Sequence, residues 1–231
     1  MKKALKALTR GTIFPYAGQR WIALEHDATG RTLCLTEDIV EDRAFDDGNC
    51  NDWGKSSSRT YLNGPFLDNL IEAAGGSNPF IASEVDLTAD DGLKDYGTCT
   101  ATIFLLNVDQ YRRNRDVIPN AGGWWWLVNA ISTASNGYEH SARCVDSDGS
   151  LGWDSAYGGD DGLRPACYLD SDLLISVDGD DSVTPEEAGE IVKDLAEQFG
   201  GVHTSPQHFR AAAAFMLGTL RASTEQEAPH E

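Results

Sequence analysis

Apolar and polar positions recur along this chain at spacings that predict most of its elements. Over residues 19–36 the pattern is a hairpin. Arg20-Trp21-Ile22-Ala23-Leu24-Glu25 and Thr32-Leu33-Cys34-Leu35-Thr36 flank the turn Asp27-Ala28-Thr29-Gly30. Ile22 with Leu24, and Leu33 with Leu35, fall on one face at period two. Leu62, Phe66, Leu67, Leu70 and Ile71 recur at helical spacing behind a run of serines able to cap a helix. Pro65 divides that stretch into two short helices or one broken helix, and Gly75-Gly76 ends it. Residues 80–87 and 101–106 read as strands, and Asn107 or Asp109 caps a short helix through Arg113. Residues 41–55 read as a polar loop carrying Trp53, and residues 1–11 as a short basic arm.

The stretch from 122 to 169 reads as three short strands joined by polar loops. Trp124-Trp125-Trp126-Leu127-Val128 is aromatic and β-branched, Ser141-Ala142-Arg143-Cys144-Val145 is compact, and Asp148-Gly149 suits a tight hairpin. Alternation puts Trp125 in the core if Trp124 and Trp126 are exposed, or the reverse. The loops over 129–161 mix aromatic and small polar residues, the composition of binding loops on a rigid frame. Trp124, Asn129, Asn136, Tyr138, His140, Trp153, Asp154 and Tyr157 are the candidate ligand contacts; Trp125 is expected to be structural. The competing reading folds these aromatics inward to close the domain.

Residues 170–181 read as an acidic connector, after which the chain changes character. Thr184-Pro185-Glu186-Glu187 forms a capping box, Gly200-Gly201 is a stop, and a second helix starts near Thr204. The expectation is an α+β chain: a strand-rich body over 1–180, then a C-terminal helical pair with a frayed tail over 181–231.

Charge narrows the partners. The chain carries 18 basic and 37 acidic residues, a formal charge of -19. That sign disfavours direct nucleic-acid binding and permits a cation, a basic protein partner or simple solubility. Five scattered cysteines with no CxxC pair argue against a structural zinc site and a disulfide framework. No apolar run is long enough to insert into a membrane. Met1-Lys2-Lys3 opens like a signal peptide, but Lys6, Thr9 and Arg10 interrupt the apolar stretch that a signal peptide needs. The expected setting is a reducing compartment, or a particle assembled in one. Asp146, Asp148, Asp160 and Asp161, with Asp154, offer oxygen ligands to calcium. Their spacing is not that of an EF-hand, and Asp148-Gly149 is what a hairpin turn needs anyway. No other cofactor is expected.

Five motifs in order resemble a family of bacterial and phage domains with a C-type-lectin-like fold. That family is related to formylglycine-generating-enzyme domains and to retroelement-diversified variable proteins. The motifs are Trp21-Ile22-Ala23-Leu24 with Thr32-Leu33-Cys34-Leu35-Thr36-Glu37-Asp38-Ile39, then Trp53 with Ser56-Ser57-Ser58-Arg59-Thr60-Tyr61-Leu62-Asn63. Ile103-Phe104-Leu105-Leu106-Asn107 and Trp125-Trp126-Leu127-Val128-Asn129 come next, and Val145 to Ser150 with Gly162-Leu163-Arg164-Pro165-Ala166 close the series. The resemblance covers about residues 11–175, and Val128-Asn129 departs from the family's Arg-Ser. It implies short twisted antiparallel strands with one or two helices. Arg59 and Arg164 are expected to be structural, Arg164 buried against a carboxylate.

Because the resemblance reaches an oxidase group, Cys144 and Cys167 are candidates for a copper-binding pair on strands that could be neighbours. Their contexts instead read as packed strand interior. No paired-His, GxSxG or P-loop motif is present. The leading expectation is therefore a non-enzymatic, phage- or prophage-related module that presents loops 129–161 to a protein or glycan ligand. Two alternatives stand beside it. One is an acidic inhibitor filling a nucleic-acid groove of a host protein; the other is a virion component attached through its C-terminal helices.

Overall fold

The hairpin of residues 19–36 forms the middle of a six-stranded sheet in the computed structural model, which describes residues 2–159 and 161–176. In chain order the strands and helices are β1 (Lys2–Ala4), β2 (Ile13–Tyr16), β3 (Gln19–His26), β4 (Arg31–Thr36), β5 (Glu41–Asp42), α1 (Ser57–Tyr61) and α2 (Leu67–Ala73). Then come β6 (Phe80–Ile81), β7 (Ser83–Asp86), β8 (Thr98–Ala101), β9 (Ile103–Phe104), α3 (Val108–Asn114), β10 (Trp125–Ala130) and β11 (Ser141–Val145). The last are β12 (Leu151–Ser155), β13 (Gly162–Leu163), β14 (Ala166–Asp170) and β15 (Leu174–Ser176). One sheet runs β2-β3-β4-β14-β6, with β9 also paired to β14; a second runs β12-β11-β10-β13-β5. β7 pairs with β8, and β1 pairs with β15. The described chain is thus mixed α+β with mostly strands. The expected C-terminal helical pair over 181–231 lies outside the described residues.

Local chemistry explains the helices. The Ser56 hydroxyl accepts from the Arg59 N–H and caps α1. Gly64 and Pro65 interrupt the helical stretch between α1 and α2. Gly75 and Gly76, both at positive φ, turn the chain out of α2. Their N–H groups donate to the carbonyls of Glu72 and Ile71, which α2 would otherwise leave unpaired. Asn107 caps α3 in a capping box with Gln110.

Several expectations need correction. The hairpin does not keep one apolar face: Trp21 to Leu24 and Thr32 to Thr36 are all buried. Pairing shifts between Ala23 and Glu25 at a bulge, and a strand covered on both faces reads as a continuous apolar run. Residues 80–87 are split into β6 and β7, which join different sheets, and 101–106 shrinks to β9 beyond β8. The basic arm, whose structure the sequence left open, is built into the body over residues 2–11: β1 pairs with β15, and Leu5 and Leu8 are buried. β15 is in turn part of the body, with Ile175 buried, where an acidic connector was expected. The 41–55 loop holds β5 and sends Phe45 and Trp53 into the core.

Trp125 and Trp126 break the alternation rule together. Both are buried, while Trp124 is 40% exposed. Trp125 meets the Tyr111 ring of α3 edge-on at 5.5 Å, and the Arg164 guanidinium lies 5.1 Å from its ring centre. Trp126 meets Phe45 at 5.7 Å and donates its indole N–H to the Arg43 carbonyl. β10 is therefore sandwiched, with α3 on one side and the 43–53 segment on the other.

Candidate functional site

Asn49 and Asn51 hold together the loops in which the sequence placed its ligand contacts. The Asp46 carboxylate shapes their segment by accepting from the N–H groups of Gly48, Cys50 and Ser57. Asn49 sits at φ 59°, in the left-handed region that Asn tolerates better than most residues. Its carbonyl accepts from His140 Nδ1 at 2.8 Å, and its side-chain oxygen accepts from the Tyr157 N–H at 3.3 Å. Asn51 is fully buried, and its amide nitrogen reaches the carbonyls of Ser132, Tyr138 and Ser141 at 3.0, 2.7 and 2.8 Å. Its backbone N–H donates to the Glu139 carbonyl.

A second clamp works from the other side. The Tyr96 hydroxyl donates to Asn51 Oδ1 at 2.7 Å and accepts from the Ala134 N–H. The Asp95 carboxylate accepts from the hydroxyls of Ser135 and Thr133, and these bonds hold its pKa below the usual carboxylate value. The loop over 131–140 is thus pinned by the buried Asn51, the half-buried Tyr96 and the exposed Asp95. Tyr138 of this loop is nevertheless 57% exposed, and Tyr157, which follows β12 and is held through its own N–H, is 61% exposed. Exposed rings on a hydrogen-bonded frame provide contact area at low entropic cost.

The structure gathers Tyr138, His140 and Tyr157 around residues 49–51 and distributes the other candidates elsewhere. Asn136 is an exposed neighbour in the same loop, its amide donating to Ser132 Oγ. Trp153 is 58% exposed on β12, a strand where the sequence pattern indicates loop. Asp154, also on β12, accepts from the Ser155 N–H. Trp124 precedes β10, whereas the pinned loop lies beyond its other end. The two are separated by the length of a strand. Asn129 is buried between the Val108 N–H and the Thr88 carbonyl, at 2.8 and 2.7 Å. It lines a separate cleft of about 260 Å³ with Asp90 and Arg112.

Arg164 has no exposed surface, and its direct partners are not a carboxylate. It donates to the carbonyls of Thr36, Pro119 and Glu37 at 3.0, 3.0 and 2.6 Å. Burial pushes its pKa down to about 10, against the attraction of Asp38, Tyr111 and Glu37. Arg59 ties α1 to β8 through the Thr100 carbonyl.

Cys144 and Cys167 are not neighbours: they lie in different sheets, and Cys167 faces Cys34 across the β14–β4 pair. All five cysteines are free, and burial pushes the thiols of Cys34, Cys144 and Cys167 up. Among the described residues no three His, Cys, Asp or Glu side chains converge to hold a metal ion. Of the calcium candidates, Asp148 caps the hairpin turn at the Ser150 N–H, and Asp160 lies outside the described residues. Asp146, Asp154 and Asp161 lie near enough to Cys144 to raise its pKa further.

Residues 76–171 match the family model Domain of unknown function (DUF6273). The matched stretch begins before β6 and ends just after β14, so it contains the pinned loop, Asp95, Tyr96 and the exposed aromatics. It leaves out Asn49 and Asn51. No curated protein and no solved structure matches the chain.

The sequence pattern does not mark Asn49, Asn51, Asp95 or Tyr96. Asn51 binds residues 81 to 90 positions away, so no local period or spacing points to it. The one available signal was an Asn-Cys-Asn segment inside an acidic loop that has no apolar pattern of its own.

Proposed function

We propose that the described body is a non-enzymatic binding module of C-type-lectin-like design. It presents the loops around Tyr138, His140 and Tyr157 to a protein or glycan ligand. The observation that carries this reading is a contrast: Asn51, Asp95 and Tyr96 pin the 131–140 loop and Asn49 holds Tyr157, yet the rings of Tyr138 and Tyr157 are each more than half exposed. Rings needed only to close the domain would be buried, as Trp125 and Trp126 are. The lectin-like design draws support from the five ordered motifs and from the pairing of β1 with β15, which brings the two ends of the body together.

The test compares the full chain with a Tyr138→Ala/Tyr157→Ala double variant on a glycan array and against a displayed random-peptide library. Capture specific to the wild type should fall more than tenfold in the variant, equivalent to about 1.4 kcal/mol, with the melting temperature unchanged. Equal capture by both proteins, or a variant that melts many degrees lower, removes the loops from the binding role.

A further inference from the structure

β12 ends the five-stranded sheet, and its outer side is open among the described residues. Hydrogen bonds at its two ends fix which groups face outward. The Asp146 N–H donates to the Ser150 carbonyl, and the Ala156 N–H donates to the His140 carbonyl. In the antiparallel register that pairs Cys144 with Gly152 and Arg143 with Trp153, hydrogen-bonded and open pairs alternate. Gly152 and Asp154 therefore bond inward to β11, while Leu151 and Trp153 turn their N–H and C=O groups to the free side. Ser155 is already engaged, through its N–H to Asp154 and its carbonyl to Gly158.

Exposed edges are usually blunted by Pro, Lys or short length. The other edges of the two large sheets obey that rule: β2 contains Pro15, and β5 and β6 are two residues long. β12 is a five-residue edge with neither Pro nor Lys. Its two faces differ in chemistry. Trp153, 58% exposed, shares a face with Arg143, whose charge is held by Asp90 at 2.6 Å. On the opposite face Asp154 and Asp146 flank Gly152. A Cβ at Gly152 would fall 2.3 Å from Asp146 Oδ1, a buried oxygen that has no hydrogen-bond partner among the described residues. No Lys or Arg occurs between Arg143 and Arg164.

We propose that β12 is a strand-addition site for an extended peptide of alternating basic and aliphatic residues. The peptide backbone pairs with Leu151 and Trp153. Its Lys or Arg side chains lie on the Asp146 and Asp154 face, and its aliphatic ones cross the Trp153 ring. Main-chain pairing supplies affinity, and alternate side chains supply selectivity. The proposal rests on the binding-module reading and names the partner class of an edge that adjoins its loops.

The experiment uses the full chain and a fluorescein-labelled (Lys-Val)4 peptide, read by fluorescence anisotropy. Controls are (Glu-Val)4 and two (Lys-Val)4 peptides, one N-methylated at every lysine and the other at every valine. At least one methylated peptide should bind more than tenfold weaker, because its donors face β12, and (Glu-Val)4 should not bind. Trp153→Ala and Asp154→Asn should each weaken (Lys-Val)4 at least threefold. No binding of (Lys-Val)4, or equal binding of both methylated peptides and the parent, overturns strand addition. The methylation arm decides the matter even if Trp153→Ala is unstable. Loss of this peptide with loop capture intact sinks only the edge, whereas loss of loop capture alone sinks only the loop reading.

Discussion

A guanidinium with no exposed surface is costly to bury, and Arg164 offsets that cost by joining three segments at once. Thr36 and Glu37 lie at the end of β4, Pro119 comes after α3, and Arg164 itself lies between β13 and β14. Its planar fork can serve three carbonyls in one plane, which an ammonium cannot do. Arg164→Met should lower unfolding free energy by about 3–5 kcal/mol, because it leaves three buried carbonyls without their donor. Arg164→Lys should recover less than half of that loss. Urea titration of both variants checks this; a loss below about 1 kcal/mol for the methionine would mean that water replaces the guanidinium. The Gly162-Leu163-Arg164-Pro165-Ala166 motif made Arg164 legible as structural. Its partners were not legible, because backbone carbonyls carry no sequence signature. The same limit hid Asn51, whose three acceptors are also carbonyls.

Elements with local causes are legible in the sequence, and those with tertiary causes are not. Ser56, Pro65, Gly75-Gly76 and Asn107 act within a few residues of themselves, and each terminates or caps the element that the sequence indicates. Trp125 and Trp126 depart from the pattern because alternation assumes a strand with one wet face. β10 has none, and its six residues are all buried. β12 reads as loop because Leu-Gly-Trp-Asp-Ser carries little strand propensity; pairing with β11 imposes the strand. The pinned loop over 131–140 is the element on which the functional reading depends. Asn51→Leu should keep the side chain's bulk and remove the clamp, at a cost of about 2–4 kcal/mol for the stranded polar groups. Hydrogen exchange read by mass spectrometry should then show residues 132–141 exchanging at least tenfold faster, with the β3–β4 hairpin unchanged. Uniform acceleration across both would mean that Asn51 stabilises the whole body, and the loop would lose its separate clamp.

Over the whole body, stability depends on how the chain's two described ends close. The sequence pattern gives no sign of this join, reading residues 1–11 as a short basic arm and those beyond 170 as an acidic connector. Yet β1 and β15 pair from Lys2 opposite Ser176 to Ala4 opposite Leu174. The Leu5 and Lys6 N–H groups continue the join to the carbonyls of Leu173 and Ser171. His26 fixes the next turn, its Nε2 lying 3.0 Å from the Leu8 carbonyl. Leu5 and Leu8 are 0% and 7% exposed, and Ile175 is 1% exposed. Burying two leucines contributes about 3–6 kcal/mol at the usual value per side chain. Removing residues 2–8 should therefore lower the melting temperature by about 10 °C or more, at roughly 2–4 °C per kcal/mol for a chain of this size. Leu5→Ala alone should cost about 2–5 kcal/mol through the cavity it leaves. Differential scanning calorimetry of both variants gives the answer. If the deletion melts within about 2–3 °C of the intact chain, β1 is an ornament on a body that closes without it. If Leu5→Ala carries most of the loss, side-chain burial rather than strand pairing holds the ends together.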